Sequence, residues 1–107
     1  MEELKRSLAN HGFNHLDQGH SNVPHQGKSW WMSFRPPKGM VRELNSVSDL
    51  PKEIKAALKQ FRERHLTEFP ERKVKVTIGF FNRLKILEVN VKEPSKSNPF
   101  WGDDWAD

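Results

Sequence analysis

Residues 30–91 carry the pattern that most constrains how this chain folds. Apolar and polar residues alternate in residues 30–35 and again in residues 73–80, which is typical of strands with one buried face. In residues 49–69 the apolar residues recur at intervals of three and four, which predicts a helix with one apolar stripe. A second strand pattern, residues 84–91, follows after a short reversal. The order strand, helix, strand, strand predicts an α+β fold.

The long helix has recognisable ends as well as an apolar stripe. Ser48 or Asp49 is expected to cap it, with Pro51 in the first turn, where a missing N–H costs little. Pro70 is expected to close it. The stripe consists of Ile54, Leu58, Phe61, His65 and Phe69.

The strands that flank the helix predict which face of the sheet is buried. The residues expected to face the helix are Trp30, Met32, Phe34, Val74, Val76, Ile78 and Phe80. Asn82 is expected to adopt positive φ in the reversal between the last two strands. Ile86 and Leu87 are adjacent apolar residues, and either a bulge or burial on both faces would account for them.

The residues before the first strand predict a short helix and then a loop. Residues 2–10 predict the helix, with Leu4 and Leu8 one turn apart and Gly12 suited to its C-terminal stop. Residues 17–28 have a polar, Gly- and Pro-containing composition typical of a loop.

The predicted fold class is therefore α+β. It has a small three-stranded sheet with one long helix on one face, a short N-terminal helix and an extended acidic tail. The domain is predicted to span residues 1–92, of which 1–29 form the N-terminal helix and His-rich loop. Residues 93–107 form the acidic aromatic tail, and the three strands are residues 30–35, 73–80 and 84–91.

Charge is divided between these two parts of the chain. The first 92 residues hold 17 Lys and Arg against 10 Asp and Glu, whereas the last 15 hold one Lys against four acids. The sequence pI is near 9.6, which favours an acidic partner, namely nucleic acid, an acidic protein surface or an anionic membrane. Cysteine is absent, which excludes a disulfide framework, a thiolate nucleophile and a Cys-based zinc site. No apolar run resembles a spanning helix or a signal peptide, so a cytoplasmic protein without membrane association is expected.

The sheet face opposite the helix is predicted to be basic and exposed. Cations that surround an aromatic ring can hold a nucleic-acid backbone while a base stacks on the ring. The alternative is that these cations only keep a solvated sheet soluble and discourage edge pairing. The binding residues predicted on this face are Trp31, Arg35, Lys73, Lys75 and Lys85.

The N-terminal loop contains four histidines, His11, His15, His20 and His25. His11 and His15 have the spacing for one metal ion on a helix, but Gly12 lies between them, and neither a metal nor a cofactor is predicted. An alternative is a ribonuclease-type site, which needs a general base and an acid and often pairs His with Lys or Arg, here Lys28 or Arg35. Its candidate residues are His15, His20, His25 and Lys28.

The tail combines large rings with carboxylates. Such a segment suits docking, because the rings fill pockets and the acids steer towards a basic surface. It either folds back beside Trp31 and Lys75, or binds another protein, or serves as a solubilising end. The predicted binding residues of the tail are Phe100, Trp101, Asp103, Asp104 and Trp105.

Several motifs are similar to the DNA-damage-inducible protein I (DinI) family. They are Asp49-Leu50-Pro51 at the helix start, Ala57-Leu58, Arg62 and Arg64 within it, Phe69-Pro70 at its end, Val74 and Val76, and Asp103-Asp104-Trp105. The resemblance implies a strand-helix-strand-strand-helix fold that modulates the recombinase filament of the DNA-damage response. In that family acidic residues of the last helix make the contact, so the resemblance implies Asp103, Asp104, Trp105 and Asp107 as contact candidates here. The chain differs in its basic domain, its longer N-terminus and its Pro-rich spacer in place of the last helix.

The sequence as a whole predicts a small binding protein, with enzymatic activity left open and not favoured. It would inhibit or modulate a nucleic-acid-handling protein machine through its basic face and acidic tail. The alternative is direct nucleic-acid binding, including a basic ribonuclease-type toxin that uses the His-rich loop. The identity of the partner and the oligomeric state are left open.

Overall fold

The computed structural model describes residues 2–23 and 27–93. Its regular elements are α1 (Glu2–Ala9), β1 (Asn14–Val23), β2 (Gly27–Arg35), α2 (Lys52–Glu68), β3 (Lys73–Phe81) and β4 (Leu84–Glu93). Two short 3-10 helices, Lys38–Met40 and Val47–Asp49, lie in the connection between β2 and α2. The strands are ordered β1-β2-β4-β3, and every neighbouring pair is antiparallel. Hence β1 and β3 are the edges, and β2 and β3 run parallel on either side of β4.

Within the described residues the sheet has four strands, so the prediction of three was wrong. The missed strand is β1, most of which falls in the segment predicted to be a loop. Its residues are almost all polar, so they lack the apolar alternation that marks a strand with one buried face. A register shift between His15 and Asp17 further interrupts the period. Hydrogen bonding to β2, which local sequence does not reveal, holds this segment extended.

The core lies between the helices and one face of the sheet. Leu4 and Leu8 of α1 and Phe13 after it are buried there beside Ile54 and Leu58 of α2. The strands contribute Met32, Phe34, Val74, Leu87, Val89 and Val91, with Trp30, Val76 and Ile78 partly buried against them. These inward-facing residues agree with the alternation in the sequence.

Phe80 is the exception among the residues expected to face the helix. It is 72% exposed, and Phe81 and Leu84 beside it are also exposed. The hairpin end of β3 and β4 extends beyond the residues that pack against α2, so the alternation continues there without burial.

Two tight reversals follow from local backbone requirements. Asn82 and Arg83 have φ of 49° and 68°, so the two residues between β3 and β4 form the positive-φ turn that suits a twisted hairpin. The prediction for Asn82 is confirmed. Gly12 has φ of 84° after α1, and the next N–H, of Phe13, donates to Leu8 O at 2.9 Å.

The entrance to α2 differs from the expected cap. The helix begins at Lys52 after Pro51, and neither Ser48 nor Asp49 caps it. The Asp49 carboxylate instead accepts the N–H groups of Asn45 and Ser46, each at 3.0 Å. Those two hydrogen bonds to the charged form lower the pKa of Asp49 below its usual 3.8. Asp49 therefore organises the turn that precedes the helix.

The adjacent apolar pair in β4 is explained by burial on both faces. Ile86 and Leu87 are 2% and 0% exposed, and their pairing with β3 is regular. Leu87 belongs to the core, whereas Ile86 lies on the opposite face of the sheet.

Candidate functional site

A groove of about 390 Å³ lies between α2 and β3. Its apolar lining comes from Val47, Leu58, Val74 and Val76. Its cationic lining comes from Lys55, Lys59, Arg62 and Lys75. Among the described residues that line it there is no carboxylate. An apolar floor with a positive rim suits a ligand that is both apolar and acidic.

The positive rim follows from the spacing of cations along α2. Lys55, Lys59 and Arg62 are separated by four and three residues, so they project from one side of the helix. Lys52 continues this row at the first turn of α2. Lys75 approaches the groove from β3, where it alternates with the apolar Val74 and Val76.

One edge of β3 borders the groove. In the described part of the chain, β3 pairs only with β4, so its other edge carries backbone donors and acceptors without a strand partner. Such an edge is a template for an added strand, and a helix beside it supplies side-chain pockets. The groove therefore offers main-chain hydrogen bonds as well as apolar and cationic contacts.

The face of the sheet opposite α2, here called the outer face, is less open than predicted. Trp31 pairs with Gly19 of β1, and its ring occupies the space where a Cβ of Gly19 would lie. One side of the ring is thus covered by the edge strand, which leaves less of it for stacking. Ser33 and Ile86 are buried on the same face. The outer face also carries Arg35, Lys73 and Lys75 beside Trp31, as the alternation indicated.

Lys85 is not on the outer face. It pairs with Phe80 and is two residues from the core residue Leu87 on the same strand, so it lies on the same face as Leu87, the side of the helices. Its ammonium donates to the Val41 carbonyl at 2.8 Å, and it lies 5.9 Å from the centroid of the Phe80 ring. Its placement was mispredicted because Ile86 and Leu87 are both apolar, so alternation along this strand does not show which face Lys85 occupies.

The histidines predicted for a ribonuclease-type site are spread along β1. His15 and His20 pair with Phe34 and Trp30, which are four residues apart on β2, so the Cα atoms of the two histidines are about 13 Å apart. An acid and a base that act on one phosphate must both be within hydrogen-bond reach of it. His20 and Lys28 are diagonal neighbours, roughly 7–8 Å apart by strand geometry. His25 lies outside the described residues.

No group of three metal-binding side chains occurs within residues 2–23 and 27–93. His15 instead contacts Phe34 edge-on, with ring centroids 5.7 Å apart.

Arg72 joins α2, β2 and β4 and was missed by the sequence analysis. Its Nε donates to Glu93 at 2.8 Å, and its guanidinium lies 3.7 Å and 4.5 Å from the ring centroids of Phe69 and Trp30. Its Nη1 is 3.2 Å from His65 Nε2. The only hint in the sequence was a cation directly before β3. The cluster ties Glu93 of β4 to α2 and β2.

His65 lies inside this cluster. Its ring stacks on Phe61 at 5.4 Å and contacts Phe69 at 5.1 Å between centroids. Burial, and secondarily the charge of Arg72, lower the pKa of His65 below its usual 6.5. His65 therefore acts as a neutral, partly buried member of the apolar stripe of α2.

The predicted contact residues of the tail, Phe100, Trp101, Asp103, Asp104 and Trp105, lie outside the described residues. None of the described helices is long and apolar enough to cross a membrane. In comparisons with known proteins, no family model, no curated protein and no solved structure matches this chain.

Proposed function

We propose that this protein is a small non-enzymatic binding protein that holds an extended acidic segment of a protein partner in the groove between α2 and β3. The observation that carries the proposal is the coincidence of three features: an edge of β3 without a strand partner among the described residues, an apolar floor, and a rim with cations and no described carboxylate. Strand addition supplies affinity through main-chain hydrogen bonds, and the flanking pockets supply selectivity. The rim selects segments that carry Asp or Glu.

The class of partner is proposed from the charge of the domain and from its resemblance to the DinI family. Both favour a component of a nucleic-acid-handling machine, which this protein would inhibit or modulate by occupying one of its acidic segments. Tight burial of a polyanion alone would need no apolar floor, so the floor favours a peptide over a nucleic-acid backbone.

A direct test uses a short labelled peptide in which Trp and Asp alternate with Ser. We expect the peptide to bind with an affinity that falls as salt is added, and to protect amides of Val74, Lys75 or Val76 from hydrogen exchange. The double variant Lys55→Glu/Lys59→Glu should abolish this binding. A matched control, Lys28→Glu/Lys38→Glu, changes the net charge equally at exposed positions outside the groove and should bind nearly as well as the parent.

Equal loss of binding in the two double variants would contradict the proposal, since it would mean that net charge and not the groove attracts the peptide. Protection on β1 in place of β3 would contradict it as well.

Direct nucleic-acid binding is the second candidate, favoured by the row of cations from Lys52 to Arg62 beside Lys73 and Lys75. It predicts salt-sensitive retention on a generic duplex that is lost in Lys73→Glu/Lys75→Glu. A ribonuclease-type activity further requires turnover that disappears in His20→Ala. The separation of His15 from His20 makes this the weaker form of the candidate.

A further inference from the structure

We infer that in the free protein the groove is occupied by residues 98–107, the last part of this chain's own acidic aromatic tail. This segment lies alongside β3 and parallel to it. The inference rests on the proposed function, because it concerns regulation of the same groove. A partner segment would then bind by displacing the tail, and the tail would set the threshold of acidity and apolarity that a partner must exceed.

The point where the tail leaves the domain supports this placement. β4 ends at Glu93, whose carboxylate is held by Arg72 at 2.8 Å. The preceding residue, Lys92, pairs with Lys73 at the beginning of β3. The tail therefore starts at the end of the sheet where β3 begins, three residues beyond Val91, which pairs with the groove residue Val74. A chain that continues from there along β3 runs in the same direction as β3.

The length of the tail is sufficient. A strand added to the free edge of β3 would lie two strand spacings from β4, about 10 Å. Residues 94–99 span up to about 20 Å when extended, so the spacer reaches the edge and leaves the rings and carboxylates for the groove. In an extended segment Trp101 and Trp105 lie on the same side, because side chains alternate.

The chemistry of the tail complements that of the groove. Residues 94–107 contain one Lys and three Asp, and their apolar content is concentrated in Phe100, Trp101 and Trp105. The groove presents Lys55, Lys59 and Lys75 around an apolar floor. The outer face is a poorer site, because β1 covers one side of Trp31 and because Glu88 and Asp17 lie on that face. Opposite charges and matching apolar surface thus favour the groove.

Paramagnetic relaxation on the full chain tests the inference. The chain has no cysteine, so Ala106→Cys provides a unique attachment point for a nitroxide. We expect the label to broaden amides of β3 and of the side of α2 that carries Lys55 and Lys59. Broadening on β1, around Gly19, would place the tail on the outer face and overturn the inference. Broadening that is uniform over the domain would overturn it too.

A mixed sample separates docking within one chain from exchange between chains. Labelled protein without isotope is added to isotope-labelled protein without the nitroxide. Docking within the chain predicts no specific broadening in the mixture, whereas broadening of α2 and β3 there would show that the tail binds a second copy and would overturn the inference.

Peptide competition distinguishes failure of this inference from failure of the proposed function. In the full chain, Trp101→Ser/Trp105→Ser and Asp103→Lys/Asp104→Lys should each raise the apparent affinity for the Trp/Asp peptide roughly fivefold to tenfold, since the competing tail is weakened. The spacer variant Ser95→Ala/Ser97→Ala is the matched control and should leave that affinity unchanged. Unchanged affinity in the ring and charge variants would overturn only the inference that the tail occupies the groove. Absence of peptide binding even in those variants, with broadening still located at the groove, would overturn only the proposed partner.

Discussion

The two edge strands, β1 and β3, reach similar positions in the sheet from very different sequences. β3 alternates Val74, Val76 and Ile78 with polar residues, because one of its faces packs against α2. β1 is polar on both faces and joins the sheet through its hydrogen bonds to β2. An edge strand leaves an apolar alternation only where one of its faces is buried. The two edges also differ in that the groove lies beside β3.

The largest difference between the edges is expected for their aromatic residues. Phe13 is fully buried just before β1, whereas Phe80 on β3 is 72% exposed. Phe13→Ala should lower the free energy of unfolding by about 3–5 kcal/mol, because it leaves a cavity where α1 meets the sheet. Phe80→Ala should change it by less than about 0.5 kcal/mol. Urea unfolding measures both, and similar losses would break the comparison.

A second contrast concerns the side chains that tie each edge to a helix. Arg72 binds the partly buried Glu93 and lies over two rings, whereas Lys5 donates to Gln18 of β1 at the surface. Arg72→Met should cost about 2 kcal/mol, because it leaves a half-buried carboxylate without its partner. Lys5→Met should cost about 0.5 kcal/mol.

The Arg72 contrast is checked with a double-mutant cycle. If Arg72→Met is as costly in a Glu93→Gln background as in the parent, the ion pair is not the source of the effect.

The same glycine substitution should have opposite effects on the two edges. A Cβ on Gly19 of β1 would meet the ring of Trp31, whereas nothing lies near a Cβ on Gly79 of β3. Gly19→Ala should destabilise by about 1–2 kcal/mol through forced movement of the ring. Gly79→Ala should be neutral or stabilise by up to about 0.5–1 kcal/mol, since alanine loses less backbone entropy in a strand. Thermal unfolding of the two variants provides the measurement, and equal midpoints would contradict the expected covering of Trp31.

The smallest expected effect is the pH dependence contributed by His65 near the start of β3. Its pKa is lower in the folded protein than in the unfolded chain, so the unfolded chain takes up the proton more readily. The contribution of His65 to the free energy of unfolding is therefore fully present above pH 6.5 and declines as the pH falls towards the folded pKa. His65→Phe keeps the ring contacts and removes the titration, so its urea midpoint should fall less than that of the parent between about pH 7.5 and about pH 5.5. Identical slopes would exclude His65 as the source.

The face on which most of the predicted sheet residues lie was predictable from the sequence, although Lys75 alone among them is one of the described residues that line the groove. Trp31, Arg35, Lys73 and Lys75 lie on one face because strand alternation determines it. Lys85 was misplaced because the two adjacent apolar residues after it leave its face undecided by alternation. The groove itself was not predicted, since it arises where residues of α2 and β3, distant in sequence, come together.

The sequence by itself determined the elements whose burial imposes a period, namely α2 and the strands β2, β3 and β4. It also determined the turn at Asn82, where positive φ is required. Only the tertiary structure decided that β1 is a strand, that β4 inserts between β2 and β3, and that Arg72 joins Glu93 to Trp30. The physical reason is the range of the interactions. Periodic burial produces a pattern in the local sequence. Strand pairing and the partly buried ion pair depend instead on partners far away in the chain.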